Sequence, residues 1–379
     1  MAKIFHCADL HLDSPFSGQS AENSRLLRQS VFDTFRRAVE RAYAEHCDLF
    51  LIAGDMFDSE FASPATLEAV MSLFESHEKM VFAVSPGNHD PYSQNSFWKR
   101  AKLPQNAHIF SSDTLTKFSM LSAEGEKLTV YGYAFTSSTL DRSPFAARTP
   151  KDPGIINIVC AHADIYSPLA KNAFITPAEI AGTGFDYIAL GHIHNPPPPA
   201  EQVQRAGKTY YAYSGALAGR GFDECGERGG LLLEMKKIDS ELSLSYSFIP
   251  LSEYIFLNLT ADVTGAADIN DVLKKVSPLS SAVRNPQKTA LRLTLTGDTA
   301  PGCRIGENAV GETFGSLFSF ELQDLTAPLF DSDSLRNDKT IRGAFFRALL
   351  PQLESDDPKT RSAAREALEY GLRALAGNL

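Results

Sequence analysis

Five short motifs rich in aspartate and histidine occur in the first 200 residues of the chain. Each directly follows a short apolar run, and each carries side chains of the types that bind divalent metals. The motifs are Asp9-Leu10-His11, Gly54-Asp55-Met56-Phe57-Asp58, Gly87-Asn88-His89-Asp90, Ala161-His162 and Gly191-His192-Ile193-His194. Five of the nine histidines of the chain lie in these motifs, and this concentration predicts one shared site.

The residue types favour a pair of metal ions. Carboxylates and imidazoles together suit Mn²⁺, Fe or Zn²⁺, and the absence of cysteine from the motifs argues against a soft-metal or iron–sulfur site. A single catalytic ion takes three or four protein ligands, and the motifs offer more than that. Each motif alone has a structural alternative, such as a turn, a helix cap or a hydrogen-bonded histidine. Five such coincidences at one place are much harder to accept than a binuclear site.

Alternating strand and helix signals would bring these motifs together. Apolar runs at 4–8, 48–53 and 80–84 predict buried strands, and residues 22–45 and 63–76 predict the helices between them. This spacing predicts right-handed crossovers and a largely parallel sheet. Since ligands bind beyond the carboxyl ends of the strands in open α/β sheets, we expect the motifs at one edge.

The rest of the chain predicts a second sheet, a small α/β domain and a helical tail. Further β segments are indicated at 128–135, 155–161, 186–190, 209–214, 230–236 and 243–249. We expect them to form a sheet that packs on the first. Beyond Pro250 a strand, a helix and a strand predict a separate small domain. The last forty-odd residues predict two helices, 335–350 and 358–376, joined near Pro351.

The composition is that of a globular protein with more than one domain. The chain has 379 residues, 43% of them hydrophobic and 22% charged, which excludes wholesale disorder. Five scattered cysteines argue against a disulfide framework, and the absence of a long apolar run or signal peptide predicts a cytoplasmic protein without membrane association. The net charge is −10, and no part is basic, which disfavours a simple DNA-binding protein.

The five motifs, in this order, resemble the signature of the calcineurin-like metallophosphoesterases. Residues 6–16 are also similar to the opening of the SbcD-type DNA-repair exonucleases, especially their YhaO-like branch, and residues 213–227 resemble the turn after the active-site strands of that group. The resemblance implies an α/β fold, a four-layer αββα sandwich. The implied domains are 1–250 (binuclear-metal phosphoesterase), 251–330 (small α/β capping domain) and 331–379 (helical tail).

The resemblance also implies a role for each motif residue. The ligands of the first ion would be Asp9, His11, Asp55 and His194. The ligands of the second ion would be Asp55, Asn88, His162 and His192. The ions would be Mn²⁺, with Fe, Zn and Mg as alternatives. His89 matches the family's catalytic histidine, Asp58 is expected to orient imidazoles from outside the ligand set, and Asp90 is expected to orient His89.

The function implied by the resemblance is a metal-dependent DNA nuclease, an exonuclease in DNA repair. Its partners would be DNA, an SbcC-like SMC-type ATPase that docks on the C-terminal helices, and a second copy of the chain. Two alternatives stay open. One is a phosphodiesterase or phosphatase for a small phosphoester, which the acidic charge favours, and the other is a non-catalytic scaffold, against which the complete ligand set argues.

Three further features have two interpretations each. Arg220 is expected either to contact a substrate phosphate or to pair with Glu224 or Glu227. The basic residues Lys99, Arg100 and Lys102 beside Trp98 either track a phosphate backbone or form a solvated helix face. Apolar stripes on the tail helices either pack on the protein itself or dock the ATPase. The stripe residues are Ile341, Ala344, Phe345, Ala348, Leu349, Leu368, Leu372 and Leu375.

Overall fold

The structure is a computed structural model, and it forms two compact units, Met1–Ile255 and Phe256–Leu379. The residues it describes are 1–16, 18–58, 62–94, 96–146, 148–150, 152–169, 171–300, 303–328 and 332–375. The division into domains 1–250, 251–330 and 331–379 stays a prediction, and its second boundary lies outside the described residues.

The first unit contains fourteen described strands and three α-helices. The strands are β1 (Ala2–Cys7), β2 (Leu49–Ile52), β3 (Val81–Val84), β4 (Ala107–Ile109), β5 (Thr116–Leu121), β6 (Lys127–Gly132), β7 (Leu140–Arg142), β8 (Ile156–His162), β9 (Asn172–Phe174), β10 (Tyr187–Gly191), β11 (Val203–Ala206), β12 (Thr209–Tyr213), β13 (Gly229–Ile238) and β14 (Glu241–Pro250). The helices are α1 (Ala21–Ala44), α2 (Pro64–Glu75) and α3 (Pro177–Thr183). The predicted strands and helices of residues 1–250 are therefore present.

Two six-stranded sheets dominate the first unit. The first has the strand order β14-β13-β1-β2-β3-β4, in which β1 to β4 are parallel and β13 joins β1 in the antiparallel direction. The second has the order β11-β12-β10-β8-β6-β5, with β12, β10, β8 and β6 parallel. Antiparallel strands close its two edges, β11 beside β12 and β5 beside β6. The predicted second sheet is confirmed.

The two sheets pack face to face on one apolar core. Alternate residues of each strand point into it, such as Ile4 and Leu51 from the first sheet and Val130 and Ile158 from the second. Their neighbours along the strands face the opposite way and are covered by helices. Phe74 of α2, for example, stacks on Phe82 with ring centroids 4.1 Å apart.

The outer face of the second sheet is covered by α3. Ile180 of that helix packs with Val159 and Ile188, which alternate with the inward-facing residues of β8 and β10. Helix, sheet, sheet and helix therefore form the four layers of the expected αββα sandwich.

The second unit has a small sheet with a core of its own. Its strands are β15 (Ile255–Asp262), β16 (Thr289–Thr296), β17 (Asp298–Thr299), β18 (Ser319–Asp324) and β19 (Ala327–Pro328). Its helices are α4 (Ile269–Val276), α5 (Glu307–Glu312), α6 (Ser332–Asn337), α7 (Ile341–Leu353) and α8 (Pro358–Leu375). Val272 of α4 and Val310 of α5 pack on Leu291 and Leu293 of the sheet β15-β16-β18.

The tail differs from its prediction in two respects. The described tail has three helices, α6, α7 and α8, where two were predicted. Pro351 lies inside α7 instead of joining two helices. Because Pro351 stands in the last turn of α7, the backbone hydrogen bond that a proline removes is lost only at the end of the helix. Phe346 of α7 packs on Leu368 and Leu372 of α8, and Phe345 and Leu349 are partly buried with them. Half of the stripe residues thus pack on the protein itself, while Ile341, Ala344, Ala348 and Leu375 are exposed, Ile341 by 70% and Leu375 by 40%.

No helix in the described ranges combines the length and the apolar character needed to cross a membrane.

Candidate metal centre and active site

The five motifs meet where strands of both sheets end. β1, β2 and β3 end at Cys7, Ile52 and Val84, and β8 and β10 end at His162 and Gly191. The sheets touch here, because a Cβ atom added to Gly191 would lie 1.7 Å from the carbonyl oxygen of Ala53. Glycine at this position therefore allows the close approach that joins the motifs of the first sheet to those of the second.

Four of the motif residues have a left-handed backbone. The φ angles are +52° for Asp9, +46° for His11, +46° for Asp55 and +103° for His192. Such angles are unfavourable for residues with a side chain, and they persist only where the surrounding structure enforces them, most often at functional sites.

Asp9 and Asp55 place two buried carboxylates side by side, with 0% and 1% of their surfaces exposed. His162 lies between them, with Nε2 3.3 Å from Asp55 Oδ2 and Nδ1 3.8 Å from Asp9 Oδ1. Burial raises the pKa of Asp9. Burial acts in the same direction on Asp55, but the charges of His162 and His11 outweigh it and lower the pKa of Asp55. Burying two carboxylates is costly unless positive charge lies close to both of them.

His162 carries that charge in the protein without metal. Burial lowers its pKa, but Asp55 and Asp9 outweigh the burial and raise the pKa of His162 to about 9. The imidazolium thus compensates the carboxylates where a metal ion would otherwise do so. The Oδ1 atom of Asn88 lies 2.9 Å from His162 Nε2, so an amide oxygen reaches the same point.

His11 and His194 approach Asp9 from the other side. Their Nε2 atoms are only 3.3 Å apart, and His194 Nε2 lies 3.9 Å from Asp9 Oδ1. Donor atoms of these three residues lie within 4.8 Å of one another, as do those of Asp9, Asp55 and His162. Two overlapping groups of carboxylate and imidazole donors therefore fit two divalent ions.

His192 stands at the margin of this cluster. Its ring centroid is 5.1 Å from that of His162, and its backbone N–H donates to Asp9 Oδ1 at 3.0 Å. Its Nε2 atom lies 3.1 Å from Asn172 Nδ2 and 3.6 Å from Asp164 Oδ2. Since Asn172 Nδ2 is a donor, His192 Nε2 accepts this hydrogen bond, while the distance to Asp164 is too long for one. The role of His192 as a metal ligand stays a prediction.

His89 and Asp58 lie together beside the cluster. The side chain of His89 is 47% exposed, its Nδ1 is 3.5 Å from Asp58 Oδ1, and its ring meets that of His11 edge to face at 4.8 Å. Asp58 in turn accepts a hydrogen bond from Ser14 Oγ at 3.1 Å. Donor atoms of Asp58, His89 and His11 lie within 4.8 Å of one another, so Asp58 stands next to one imidazole of the predicted ligand set.

Asp90 does not contact His89 in the predicted way. Its side chain accepts hydrogen bonds from the backbone N–H groups of Met56, Phe57 and Gly87, at 3.0, 3.2 and 2.7 Å. The carboxylate therefore ties two motif loops together, and its described hydrogen bonds all go to backbone N–H groups. An effect of Asp90 on the orientation of His89 stays a prediction.

Glu224 has no role at the metal site in the sequence-based predictions, yet it contacts a predicted ligand. Its Oε1 lies 2.7 Å from His194 Nδ1, on the side of the ring away from Asp9, and only 2% of the residue is exposed. Burial raises the pKa of Glu224, but the hydrogen bond to His194 and the charge of Arg220 outweigh it and lower the pKa to about 2. A carboxylate in this position holds the imidazole with Nε2 directed toward a metal.

The contacts of Arg220 and Trp98 bear on their alternative interpretations, while the two interpretations of the basic residues Lys99, Arg100 and Lys102 stay predictions. Arg220 Nη2 donates to Glu224 Oε1 at 3.0 Å, so Arg220 pairs with Glu224. Trp98 is 2% exposed, packs on Phe57 and donates from Nε1 to the carbonyl oxygen of Asp90, so its ring is closed to a nucleic-acid base.

Residues 2–196 match the family described as Calcineurin-like phosphoesterase, which is more than half of the chain. The chain therefore belongs to this family, whose members use a dinuclear metal site. With the fold and the buried donor groups, this defines a metal-dependent hydrolase.

Particular relatives fall within the same family. The chain is 29% identical over 311 residues to an uncharacterized metallophosphoesterase, YhaO, of Bacillus subtilis, covering 79% of this chain and 72% of that protein. It is 28% identical over 210 residues to the DNA double-strand break repair protein Mre11 of Methanopyrus kandleri, spanning 51% of this chain and less than half, 45%, of that protein. It is 22% identical over 279 residues to the D component of the SbcCD nuclease of Staphylococcus epidermidis, covering 66% of this chain and 69% of that protein.

Among solved structures, a dimetal phosphatase from Danio rerio superposes with a TM-score of 0.41 at 11% identity, covering 66% of this chain and 98% of that one.

Proposed function

We propose that this protein is a metal-dependent DNA nuclease of the SbcD-like group, in its YhaO-like branch, that works in the cytoplasm. The observation that carries the proposal is the buried Asp9–Asp55–His162 group with the exposed imidazole of His89 beside it. The names of relatives, a DNA double-strand break repair protein and a component of a nuclease, favour DNA as the substrate. Mn²⁺ is the proposed metal, and an exonuclease is the proposed form of the activity.

The residues proposed to hold two ions share one edge of the sandwich. They are Asp9, His11, Asp55 and His194 for the first ion and Asp55, Asn88, His162 and His192 for the second. When bound, two divalent ions supply a water of lowered pKa and positive charge for the phosphate oxygens. The net charge of the site then becomes positive within an acidic protein, which offsets the repulsion of DNA.

His89 is the residue we propose to act on the substrate itself. Its Nδ1 faces Asp58, so Nε2 is the nitrogen free to point at the phosphate. A protonated ring in this position can donate a proton to the leaving oxygen or stabilise the added negative charge of the transition state. Asp58, held by Ser14, keeps the ring in that orientation.

A small phosphoester is the second candidate substrate, and one observation favours it. The net charge is −10, so the protein surface as a whole repels a polyanion such as DNA. The third interpretation, a non-catalytic scaffold, is disfavoured by the strained backbone at four motif residues, since a scaffold has no use for strain at a ligand set.

The experiment that tests the proposal compares substrates and histidine variants in Mn²⁺. Wild type, His89→Asn and the control His46→Asn, an exposed histidine in the turn after α1, are incubated with linear double-stranded DNA, single-stranded DNA and bis-p-nitrophenyl phosphate. We expect wild type and the control to shorten DNA, and His89→Asn to lose about 10²- to 10⁴-fold in kcat at equal metal content. Cleavage of the small diester alone would assign the site to small phosphoesters, and an inert wild type with two bound metals would favour the scaffold.

We also propose that the tail docks an SbcC-like SMC-type ATPase, and that the nuclease forms a homodimer. Ile341, 70% exposed at the start of α7, is the most exposed large stripe residue and is available to the ATPase, whereas Leu368 and Leu372 are buried inside the tail. Ile341→Asp should therefore weaken capture of the purified ATPase and leave the fold intact. Equal capture by wild type and Ile341→Asp would exclude this face, and light scattering reports the oligomeric state.

A further inference from the structure

The turn that follows β8 exposes large side chains beside the candidate metal centre. Tyr166 is 58% exposed and Leu169 is 92% exposed. Most of the large side chains nearby, such as Tyr213 and Phe135, are buried. An exposed aromatic and an exposed aliphatic residue at the rim of a polar site indicate a binding surface for something partly apolar.

The first part of the turn, residues 163–167, is held by hydrogen bonds. Asp164 Oδ1 accepts hydrogen bonds from the backbone N–H groups of Tyr166 and Ser167, at 2.6 and 3.0 Å. The Tyr213 hydroxyl donates to the carbonyl oxygen of Ala163 at 2.8 Å and accepts from the N–H of Ile165 at 3.2 Å. Binding to a surface held in this way requires little further ordering of the protein.

One face of the Tyr166 ring lies toward the ring of Tyr213. Its centroid lies 6.2 Å from that of Tyr213, and the two rings are nearly parallel, at 25°. Since Tyr213 is 2% exposed, the open face of the pair belongs to Tyr166. A planar ring could stack there as a third layer.

Asp164 connects this turn to the predicted metal ligands. One carboxylate oxygen holds the turn, and the other, Oδ2, lies 3.6 Å from Nε2 of His192. The residue is 3% exposed, so its position is fixed. Tyr166 follows two residues later, and its Cα is therefore within about 7 Å of that of Asp164. A nucleotide whose phosphate lies at the metal centre could thus place its base over Tyr166.

We propose that Tyr166 is a stacking platform for the nucleobase next to the scissile phosphate, with Leu169 extending its apolar edge. This inference rests on the proposed nuclease function. The charge of the protein favours such a device, because stacking provides affinity without the cationic contacts that an acidic surface lacks. The cation nearest in sequence, Lys171, lies 3.7 Å from Asp141, so its charge is already partly balanced.

The test measures base preference and stacking separately. Wild type, Tyr166→Ala, Tyr166→Phe and the control Tyr370→Ala, a tyrosine 65% exposed on α8, receive Mn²⁺ and oligonucleotides that carry either a normal base or an abasic tetrahydrofuran at the cleaved end. We expect wild type, Tyr166→Phe and the control to prefer the base-bearing end by about tenfold in kcat/KM, and Tyr166→Ala to lose that preference.

The stacking readout uses fluorescence and needs no turnover. A terminal 2-aminopurine, joined through a hydrolysis-resistant phosphorothioate and bound in Mg²⁺, should be quenched by wild type and Tyr166→Phe but not by Tyr166→Ala, and thermal unfolding checks that every variant is folded. If wild type cleaves DNA and Tyr166→Ala keeps both the preference and the quenching, the platform is excluded while the nuclease function stands. If wild type does not act on DNA at all, the proposed nuclease function is wrong, and the stacking platform that rests on it is excluded as well. A change of oligomeric state in Tyr166→Ala with base preference intact would make the turn a protein interface and overturn the proposal.

Discussion

A single carboxylate outside the predicted ligand set, Glu224, orients a histidine inside it, His194. Glu224 lies 2.7 Å from His194 Nδ1, and Asp164 Oδ2 lies 3.6 Å from His192 Nε2. Glu224 contacts the ring nitrogen of His194 that faces away from Asp9, so it determines which nitrogen is presented to a metal, whereas the distance from Asp164 to His192 is too long for a hydrogen bond.

Glu224→Gln should therefore weaken metal binding. The neutral amide cannot stabilise the positive charge that builds on the His194 ring when Nε2 binds a cation, and we expect a loss of affinity of about 10- to 100-fold. Titration calorimetry with Mn²⁺, together with the rise in Tm on adding Mn²⁺, measures the effect. Glu241→Gln, at an exposed glutamate on β14, is the matched control and should bind like wild type. Unchanged affinity in Glu224→Gln would show that His194 is held by other contacts.

At the scale of the elements, glycines at the strand ends decide how closely the two sheets approach. Gly54 follows β2 with a φ of +92°, and a Cβ atom there would lie 2.1 Å from His162 Nδ1. Gly125, in the turn between β5 and β6, has a similar φ of +83° but open space around its Cα. Alanine substitutions at these two glycines can therefore be compared. The substitution at Gly125 measures the cost of backbone strain alone, and the substitution at Gly54 adds the cost of a clash with His162.

We expect Gly54→Ala to disturb both folding and metal binding. Gly125→Ala should lower the free energy of unfolding by about 1–2 kcal/mol, the usual effect of an L side chain in the left-handed region. Gly54→Ala should lower it by about 1–3 kcal/mol more, because His162 must move. Urea unfolding and metal content after dialysis distinguish the variants. Equal losses in both, with metal content retained, would mean that His162 moves freely.

Strands β1 and β10 also meet through a polar contact inside the sandwich core. His6 Nδ1 lies 2.9 Å from the hydroxyl of Tyr187, and His6 is 0% exposed. Burial lowers the pKa of His6 from 6.5 to about 3. The native state therefore holds His6 neutral in a pH range where the unfolded state binds a proton.

This predicts that acid weakens the fold through His6. Because the folded pKa lies below the unfolded one, its contribution is fully present above pH 6.5 and declines as the pH falls toward 3, by about 1.4 kcal/mol per pH unit. Urea unfolding in EDTA at pH 7, 6, 5 and 4 should give a free energy that falls less steeply for His6→Leu than for wild type. Parallel pH profiles would show that His6 protonates without destabilising the core.

At the scale of the whole molecule, net charge governs how DNA would be held. The chain carries 36 lysines and arginines against 46 aspartates and glutamates. Few phosphate contacts are therefore expected outside the metal centre, and few counterions should be released on binding. We expect the plot of log affinity against log salt to have a slope no steeper than about −3 for a short duplex. A slope near about −6, measured by fluorescence anisotropy, would reveal a basic track on the folded surface.

The elements that were predicted correctly are those with local signals. Buried strands are indicated by apolar runs, and Ser63-Pro64 predicts the start of α2 because a serine cap and a proline in the first turn act within a few residues. Pro351 shows the limit of such signals, since a proline there predicts a joint between two helices and α7 contains it. Trp98 is a similar case, because only packing on Phe57 closes its ring.

The amino-acid sequence by itself determined the class of site: carboxylates and imidazoles, without thiolates, after successive buried strands. Side-chain chemistry and strand-end spacing are local properties, so they can be read along the chain. Only the tertiary structure decided which residues the side chains around this site contact. Glu224 reaches His194 across 30 residues, and Asp90 holds Met56 across 34. Such contacts depend on how two sheets pack, because the direction in which a side chain points after a strand end is set by surrounding backbone and not by its own sequence position.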